Sequence, residues 1–366
     1  MSSEVWGFGR WIGQGHSVFI VSELSGNHGG DLERAKALIH MAKDAGADAV
    51  KLQAYIPSDM TVEERGPEFQ VPGDGPWAGQ ALWDLYVKGQ TPRDWFGPLF
   101  EEGRKAGIPI FATPFSVEAA EFLSQFNPPA YKVASFETAH YPLLKKIGRL
   151  ARRDSVPVIL STGMTDRNST WGAIWELEGE RVPDRPDVVH YARMPLSLIL
   201  MHCVSAYPAP HQSLNLGEIK VLEQQFQAPV GFSDHSLGMS AAVAAVALGA
   251  CAVEKHMTAD DRPTVDQHFS LTPAGFGAMV RAIRETEEAL KPGGDHPYPC
   301  EQDSMVFRRS LFSARVLKAE VPLTGVDVLV IRPGTGMHPR HLRELVERVP
   351  VKDVPGHTAL REEMFR

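Results

Sequence analysis

The sequence predicts an α/β chain, a TIM (β/α)8 barrel followed by a small β-rich C-terminal domain. Three observations predict it. Strand-like apolar runs alternate with helical patterns in eight units across residues 1–290. The runs end on polar, chemistry-bearing side chains, as strands do at the C-terminal mouth of a barrel. A composition shift at 291–304 (KPGGDHPYPCEQDS) then reads as a linker before residues 305–366. A doubly wound open sheet is the alternative, since pattern alone does not prove closure. No Gly-rich dinucleotide turn follows the first strand, which weakens that alternative.

The expected strands are 17–24, 48–55, 109–115, 130–135, 157–163, 197–207, 229–234 and 251–257. Helix 31–46 places Ala35, Leu38, Ile39 and Ala42 on one stripe and ends on glycine. Helix 91–107 opens on Thr-Pro and ends on glycine. Helices at 141–153, 216–226 and 271–291 fill later gaps, and the smooth apolar stretch 236–250 reads as buried helix. Residues 56–90, rich in Pro, Gly and acidic residues, follow the second strand on the mouth side. They read as a lid or active-site wall, or as an excursion packed by Trp77 and Trp83. Residues 179–195 precede the sixth strand and fall on the opposite face, where an insertion is structural. Beyond the linker, short β-like runs build a domain of about sixty residues, a marginal independent core.

A 43% hydrophobic content supports a sizeable core. The net charge of −8 and the lack of a long basic block exclude a nucleic-acid binder. Cys203, Cys251 and Cys300 lack metal spacing and fit a reducing compartment. The N-terminus has no apolar signal core, and the longest apolar run is too short to span a bilayer. A cytoplasmic protein without membrane partners is expected.

The strand ends carry the chemistry. The last two strands close on His235 and His256, flanking a βα unit, so both imidazoles reach one mouth and can hold a divalent metal with positions left open. Lys51 and Gln53 share one face of the second strand, and Glu23 ends the first. Thr113, Lys132, Ser135 and Ser161 follow on strands three to five. Ser205 and Tyr207 are in phase on the sixth, Ser233 and His235 on the seventh, Glu254 and His256 on the eighth. Two barrel lysines beside hydroxyl donors favour an anionic ligand, a phosphate or carboxylate. Salt bridges to Glu23 or Glu254, or a Schiff-base lysine, are the alternatives. Asp266 lies in the loop after the second histidine, positioned to orient substrate or to serve as a turn residue.

With these residues in place the chain resembles the sialic acid (nonulosonic acid) synthases, which condense phosphoenolpyruvate with an N-acetylated amino sugar. The resemblance covers nearly the whole chain, through FIVSELSGNHGGDLERAKAL, ADAVKLQAY, ATPFS, YKVAS, LSTGM, SAYPAP, GFSDHSLG, VEKHMT, RRSLFSARVL and VIRPGTG. It implies a TIM barrel followed by an antifreeze-like (SAF) domain. ELSGNH, KVASFE and CVSAYPAP are closest to the pseudaminic acid synthases, whose sugar is 2,4-diacetamido-2,4,6-trideoxy-L-altrose. N-acetylneuraminate or legionaminic acid synthesis is the near alternative, and a catalytically inactive sugar-binding protein the alternative of another class. By resemblance, His235 and His256 are metal ligands for Mn2+, with Mg2+ or Co2+ as substitutes. Lys51, Thr113, Lys132, Ser135, Ser161 and Ser233 hold phosphoenolpyruvate. Glu23, Gln53, Ser205, Tyr207 and Asp266 lie near the sugar and the reacting centre. Arg332 matches an arginine that one subunit extends into its partner's barrel, implying a domain-swapped homodimer. One departure stands out: the loop before Asp266 reads RPTVD where the family commonly has a Gly-Pro pair.

Overall fold

The structure, a computed structural model, describes residues 4–179 and 196–366. It forms two compact units, residues 1–290 and 291–366.

The first unit opens with a hairpin of β1 (Glu4–Gly7) and β2 (Arg10–Gly13). Eight parallel strands follow: β3 (Phe19–Glu23), β4 (Ala49–Ala54), β5 (Ile110–Pro114), β6 (Tyr131–Val133), β7 (Val158–Ser161), β8 (Leu198–Cys203), β9 (Val230–Asp234) and β10 (Ala252–His256). They pair in sequence order and β10 closes on β3, so the sheet is a closed barrel. Each of the eight expected strands is present.

The helices between them are α1 (Leu32–Asp44), α2 (Leu82–Gly89), α3 (Phe96–Ala106), α4 (Val117–Ser124), α5 (Tyr141–Asp154), α6 (Arg167–Glu178), α7 (Glu218–Phe226), α8 (Ser240–Ala247) and α9 (Pro273–Ala289). Their starts follow side-chain capping of free N–H groups. Asp31 accepts from the Glu33 and Arg34 amides, Ser116 from Ala119, Asp166 from Ser169 and Thr272 from Gly275. The sequence patterns named no helix for α2, α4 or α6. In α6, Trp171, Ala173, Ile174, Trp175 and Leu177 are all buried, so no narrow apolar stripe marks it.

Two early strand ends bear on expected site residues. β8 leaves the ladder after Cys203, which pairs with Ser233 near the end of β9, so the neighbouring strand runs out. Ser205 and Tyr207 therefore sit in a loop and are not in phase on a strand face. β6 ends at Val133, and Ser135 opens a 3-10 turn.

Inside the barrel, period-two alternation sorts the side chains by height. Phe19, Val21, Phe111, Ile159, Ile199 and Met201 form an apolar floor with Val5 and Ile12 of the hairpin. Phe8, at the hairpin turn, packs 4.6 Å from the Phe19 ring and 5.2 Å from Phe111. The hairpin, to which the sequence patterns gave no structure, thus covers the N-terminal end of the strands. Outside, two further apolar clusters bury the helices against the strands.

In the second unit β11 (Ser310–Ser313) and β12 (Val328–Ile331) pair antiparallel over a core that includes Leu311, Leu317, Leu345 and Leu360. Residues 291–304, expected as a linker, belong to this unit, and Pro299–Phe307 is a 3-10 helix. The expected insertion at 179–195 falls on 180–195, outside the described residues. No helix among the described residues is long and apolar enough to cross a membrane.

Packing at the floor makes a prediction. A Cβ at Gly231 would meet Met201 Sδ at 2.6 Å and the Ala252 carbonyl oxygen at 2.8 Å. Gly231→Ala should cost about 1–3 kcal/mol, read as a lowered urea midpoint with an unchanged slope.

Candidate active site

Strand register assembles the site. His256 pairs with Glu23, and Glu23 with Lys51, placing the three side by side across β10, β3 and β4. Glu254 pairs with Ser233, and Gln53 with Thr113. The interior face that carries the floor one step below carries this polar layer above it.

Lys51 Nζ lies 2.7 Å from Glu23 Oε2 and 2.9 Å from Glu254 Oε1, with all three buried. Glu254 Oε1 also accepts from Ser233 Oγ at 3.0 Å, and Glu23 Oε1 from the Ser25 amide at 2.7 Å. Burial alone would lower Lys51, but its two carboxylates outweigh burial and hold it above the ordinary lysine range. Burial would raise Glu254, yet Lys51 and Lys132 hold it down at about 2. Glu23 goes the other way: burial prevails over Lys51, with Glu254 adding repulsion. One ammonium shared by two carboxylates therefore goes with a lowered Glu254 and a raised Glu23.

Lys132 differs. Its Nζ donates to Ser161 Oγ (2.5 Å) and the Val133 carbonyl (3.2 Å), and among the described residues no carboxylate lies at ion-pair distance. Burial lowers it to about 8, with Glu254 opposing and Lys51 reinforcing. The salt-bridge alternative thus describes Lys51 and not Lys132. Thr113 Oγ1 and Ser205 Oγ are buried without hydrogen-bond partners, hydroxyls left to meet a ligand. Ser135 Oγ rests 3.0 Å from Cys203 Sγ. A Cβ at Gly163 would collide with Ser135, Cys203 and Ser205, so glycine there lets the three converge.

The two imidazoles stand 5.7 Å apart between ring centroids. His235 Nδ1 donates to the Val204 carbonyl at 2.9 Å, which turns Nε2 into the lone-pair nitrogen. His256 Nδ1 is buried with no partner among the described residues. Burial lowers His235 to about 4 and His256 well below its ordinary value, so both are neutral at pH 7. Behind them the outward-facing Lys255 Nζ reaches Asp234 Oδ2 at 2.8 Å, and Asp234 Oδ1 accepts from the Ser236 amide and hydroxyl. This buried pair fixes the turn that carries His235. Among the described residues no three His, Cys, Asp or Glu side chains form a metal-holding cluster. Neutral imidazoles with an unpartnered nitrogen nevertheless fit a divalent cation that keeps positions open for substrate.

Despite lacking the Gly-Pro pair, the loop 258–270 brings Asp266 in. Its Oδ2 accepts from Ser25 Oγ, beside Glu23, and its backbone carbonyl accepts from Ser270 Oγ at 2.6 Å. Asn27 ties the two loops together, donating to Met257 O (3.0 Å) and Ser270 Oγ (2.8 Å) and accepting from Thr264 Oγ1 (2.6 Å). Burial, with Glu23 adding repulsion, raises Asp266 to about 7.

An aromatic wall completes the mouth. Tyr207 lies 4.3 Å from the His235 ring, Phe269 lies 4.7 Å from His256, and Trp77 lies 5.5 Å from Tyr207. Trp77 belongs to residues 56–90, so that insertion contributes a ring to this wall. Sequence reasoning missed Ser25, Phe269 and Cys203 as site residues and gave Trp77 only a packing role. Arg332 follows β12 in the second unit, exposed, outside the set that the barrel itself assembles.

Fold and site define the class first: a TIM-barrel enzyme with its polar apparatus at the C-terminal mouth. Residues 38–295 match the NeuB family. The pseudaminic acid synthase of Campylobacter jejuni subsp. jejuni serotype O:23/36 (strain 81-176) is 37% identical, over 95% of this chain and 97% of that protein. The N,N'-diacetyllegionaminic acid synthase of Legionella pneumophila subsp. pneumophila is 31% identical, over 96% of this chain and 95% of that one. The crystal structure of the N-acetylneuraminic acid (sialic acid) synthetase from Leptospira borgpetersenii serovar Hardjo-bovis in complex with citrate has a TM-score of 0.69 and 30% identity. It covers 83% of this chain and 95% of that chain. The chain belongs to the NeuB family, among its nonulosonic acid synthases.

Two predictions follow from the charges. Lys51→Met leaves two buried carboxylates without a counter-charge and should cost about 3–5 kcal/mol. Their pKa values then rise in the folded state, so the loss should deepen as pH rises from 5 to 8, measured by urea denaturation. His28, remote from the imidazole pair, is lowered by burial, with Arg34 adding repulsion, to about 4. Its contribution is full above pH 6.5 and lost as pH falls toward 4. Relative to His28→Gln, the wild type should lose roughly 3 kcal/mol across that window.

Proposed function

We propose that this protein condenses phosphoenolpyruvate with 2,4-diacetamido-2,4,6-trideoxy-L-altrose to give pseudaminic acid and phosphate. The observation that carries the chemistry is the pair of buried lysines with ligand-free hydroxyls, set beneath two neutral imidazoles on one barrel mouth. The greater identity to a pseudaminic than to a legionaminic acid synthase supports the choice of sugar.

In this reading Lys132, Ser161, Ser135 and Thr113 hold the phosphate and carboxylate of phosphoenolpyruvate, with Lys51 and Ser233 beneath. His235 and His256 would hold Mn2+, or Mg2+ or Co2+ in its place. Such a cation supplies Lewis-acid polarisation of the open-chain sugar's carbonyl oxygen. Gln53, Ser205 and Tyr207 line the sugar's side. The enol carbon bonds to the sugar carbonyl carbon, water adds at C2, and phosphate leaves by C–O cleavage. Asp266, raised by burial to about 7, and Glu23, also raised by burial, are linked through Ser25 and are the groups that would exchange protons at the reacting centre. The second unit enters as an antifreeze-like domain whose Arg332 serves the sugar site of a partner copy in a domain-swapped homodimer.

The test is phosphate release with mass detection of product, using phosphoenolpyruvate, Mn2+ and a panel of amino sugars. Turnover with the altrose sugar and not with N-acetylmannosamine is expected. His235→Ala should lower the metal-dependent rate by roughly a hundredfold or more, and full activity in that variant would sink the ligand assignment. Arg332→Ala should raise the Michaelis constant for sugar and leave that for phosphoenolpyruvate unchanged.

A further inference from the structure

Inward positions, two apart along each strand, lead from the apolar floor of the barrel to the polar layer above it. On β6 and β7 the floor residues Ala130 and Ile159 are followed by Lys132 and Ser161. On β8 the floor residues are Ile199 and Met201, and the next inward position is Cys203. Its register partner on β9 is Ser233, a hydroxyl of the same layer. Cys203 is therefore the side chain that β8 contributes to the polar layer.

The thiol is only 5% exposed, and its Sγ lies 3.0 Å from Ser135 Oγ. Among the described residues it is the only side-chain partner of that hydroxyl. Ser205 Oγ meets the same two atoms beside Gly163, buried and without a partner. Two hydroxyls converging on one thiol, one of them unpaired, suit a ligand that accepts hydrogen bonds. A hydroxyl that donates its single hydrogen to an anion keeps only lone pairs. The bond to Cys203 must then run from S–H to Ser135 Oγ.

We propose that Cys203 is a positioning residue for phosphoenolpyruvate, its S–H donating to Ser135 Oγ and so turning the serine hydrogen toward the bound anion. The inference rests on the synthase reading above, which puts Ser135 on phosphoenolpyruvate, and adds the residue that orients it.

The test titrates phosphoenolpyruvate into Mn2+-loaded protein by calorimetry, with Michaelis constants for both substrates measured alongside. Cys203→Ala removes the donor and should weaken phosphoenolpyruvate binding about threefold to tenfold, with the Michaelis constant for sugar unmoved. Cys203→Ser supplies an O–H donor at nearly the same place and should recover the affinity to within about twofold. In a Ser135→Ala background, Cys203→Ala should cost nothing further, because no hydroxyl remains to orient. If Cys203→Ala does not fold, Cys203→Val, which fills the site without a donor, takes its place in the cycle. Three results overturn the proposal with the synthase reading intact: undiminished affinity without the thiol, no recovery in Cys203→Ser, or additive losses in the double variant. Wild-type protein that binds no phosphoenolpyruvate overturns both.

Discussion

An ammonium wedged between two carboxylates inside a closed barrel is the constraint on which the rest of this site depends. Lys51, Glu23 and Glu254 are all buried, and isolated charges in such a place would each cost several kcal/mol. Their pairing offsets that cost only while the geometry holds and water stays out. The apolar floor, covered by the N-terminal hairpin, excludes water from below. The balance of charge then has a chemical consequence. Lys51 and Lys132 hold Glu254 down while burial raises Glu23, and Lys51 and Lys132 can both carry charge near neutral pH. An anion beside Lys132 would counter the burial that now lowers it, so binding an anion and charging this lysine favour each other.

Alternation along a strand lets one short segment serve two purposes. In β10, Glu254 and His256 point into the barrel and Lys255 points out. The inward pair belongs to the site. The outward lysine meets Asp234, and Asp234 in turn folds the Ser236 turn that follows His235. Removing the outward pair would loosen an imidazole that it never touches. Asn27 acts likewise for Asp266, since its amide spans to Met257, Thr264 and Ser270 and fixes the loop in which Asp266 lies.

What the sequence disclosed follows from this same division. Side chains on strands were legible, because period-two phase and strand order determine which of them face inward at the mouth. Lys51, Glu254 and His256 are of that kind. Side chains beyond the strand ends were not. Ser205 and Tyr207 reach the site from a loop, although an extended strand seemed to place them in phase. Ser25 and Phe269 carry no periodic signal, and their roles come from where two distant loops meet. The hairpin escaped because Val5 and Ile12 alternate over too few residues to stand out, and their apolar surface has meaning only against Phe19 and Phe111. Trp77 was visible as a large ring in a Gly- and Pro-rich stretch, but its direction depends on one hydrogen bond to Val265, which no local pattern encodes.

The two parts of the pocket therefore differ in how freely they can change. Replacing Lys51 or Glu254 disturbs a buried charge balance that the barrel itself must tolerate, so the chemistry they support is bound to the fold. Trp77 stands on an insertion outside the strand ladder and packs on Tyr207, His268 and Phe269. A new side chain there alters the packing of the wall without unpairing any charge. The geometry thus separates a polar layer bound to the strand ladder from an aromatic wall carried by loops.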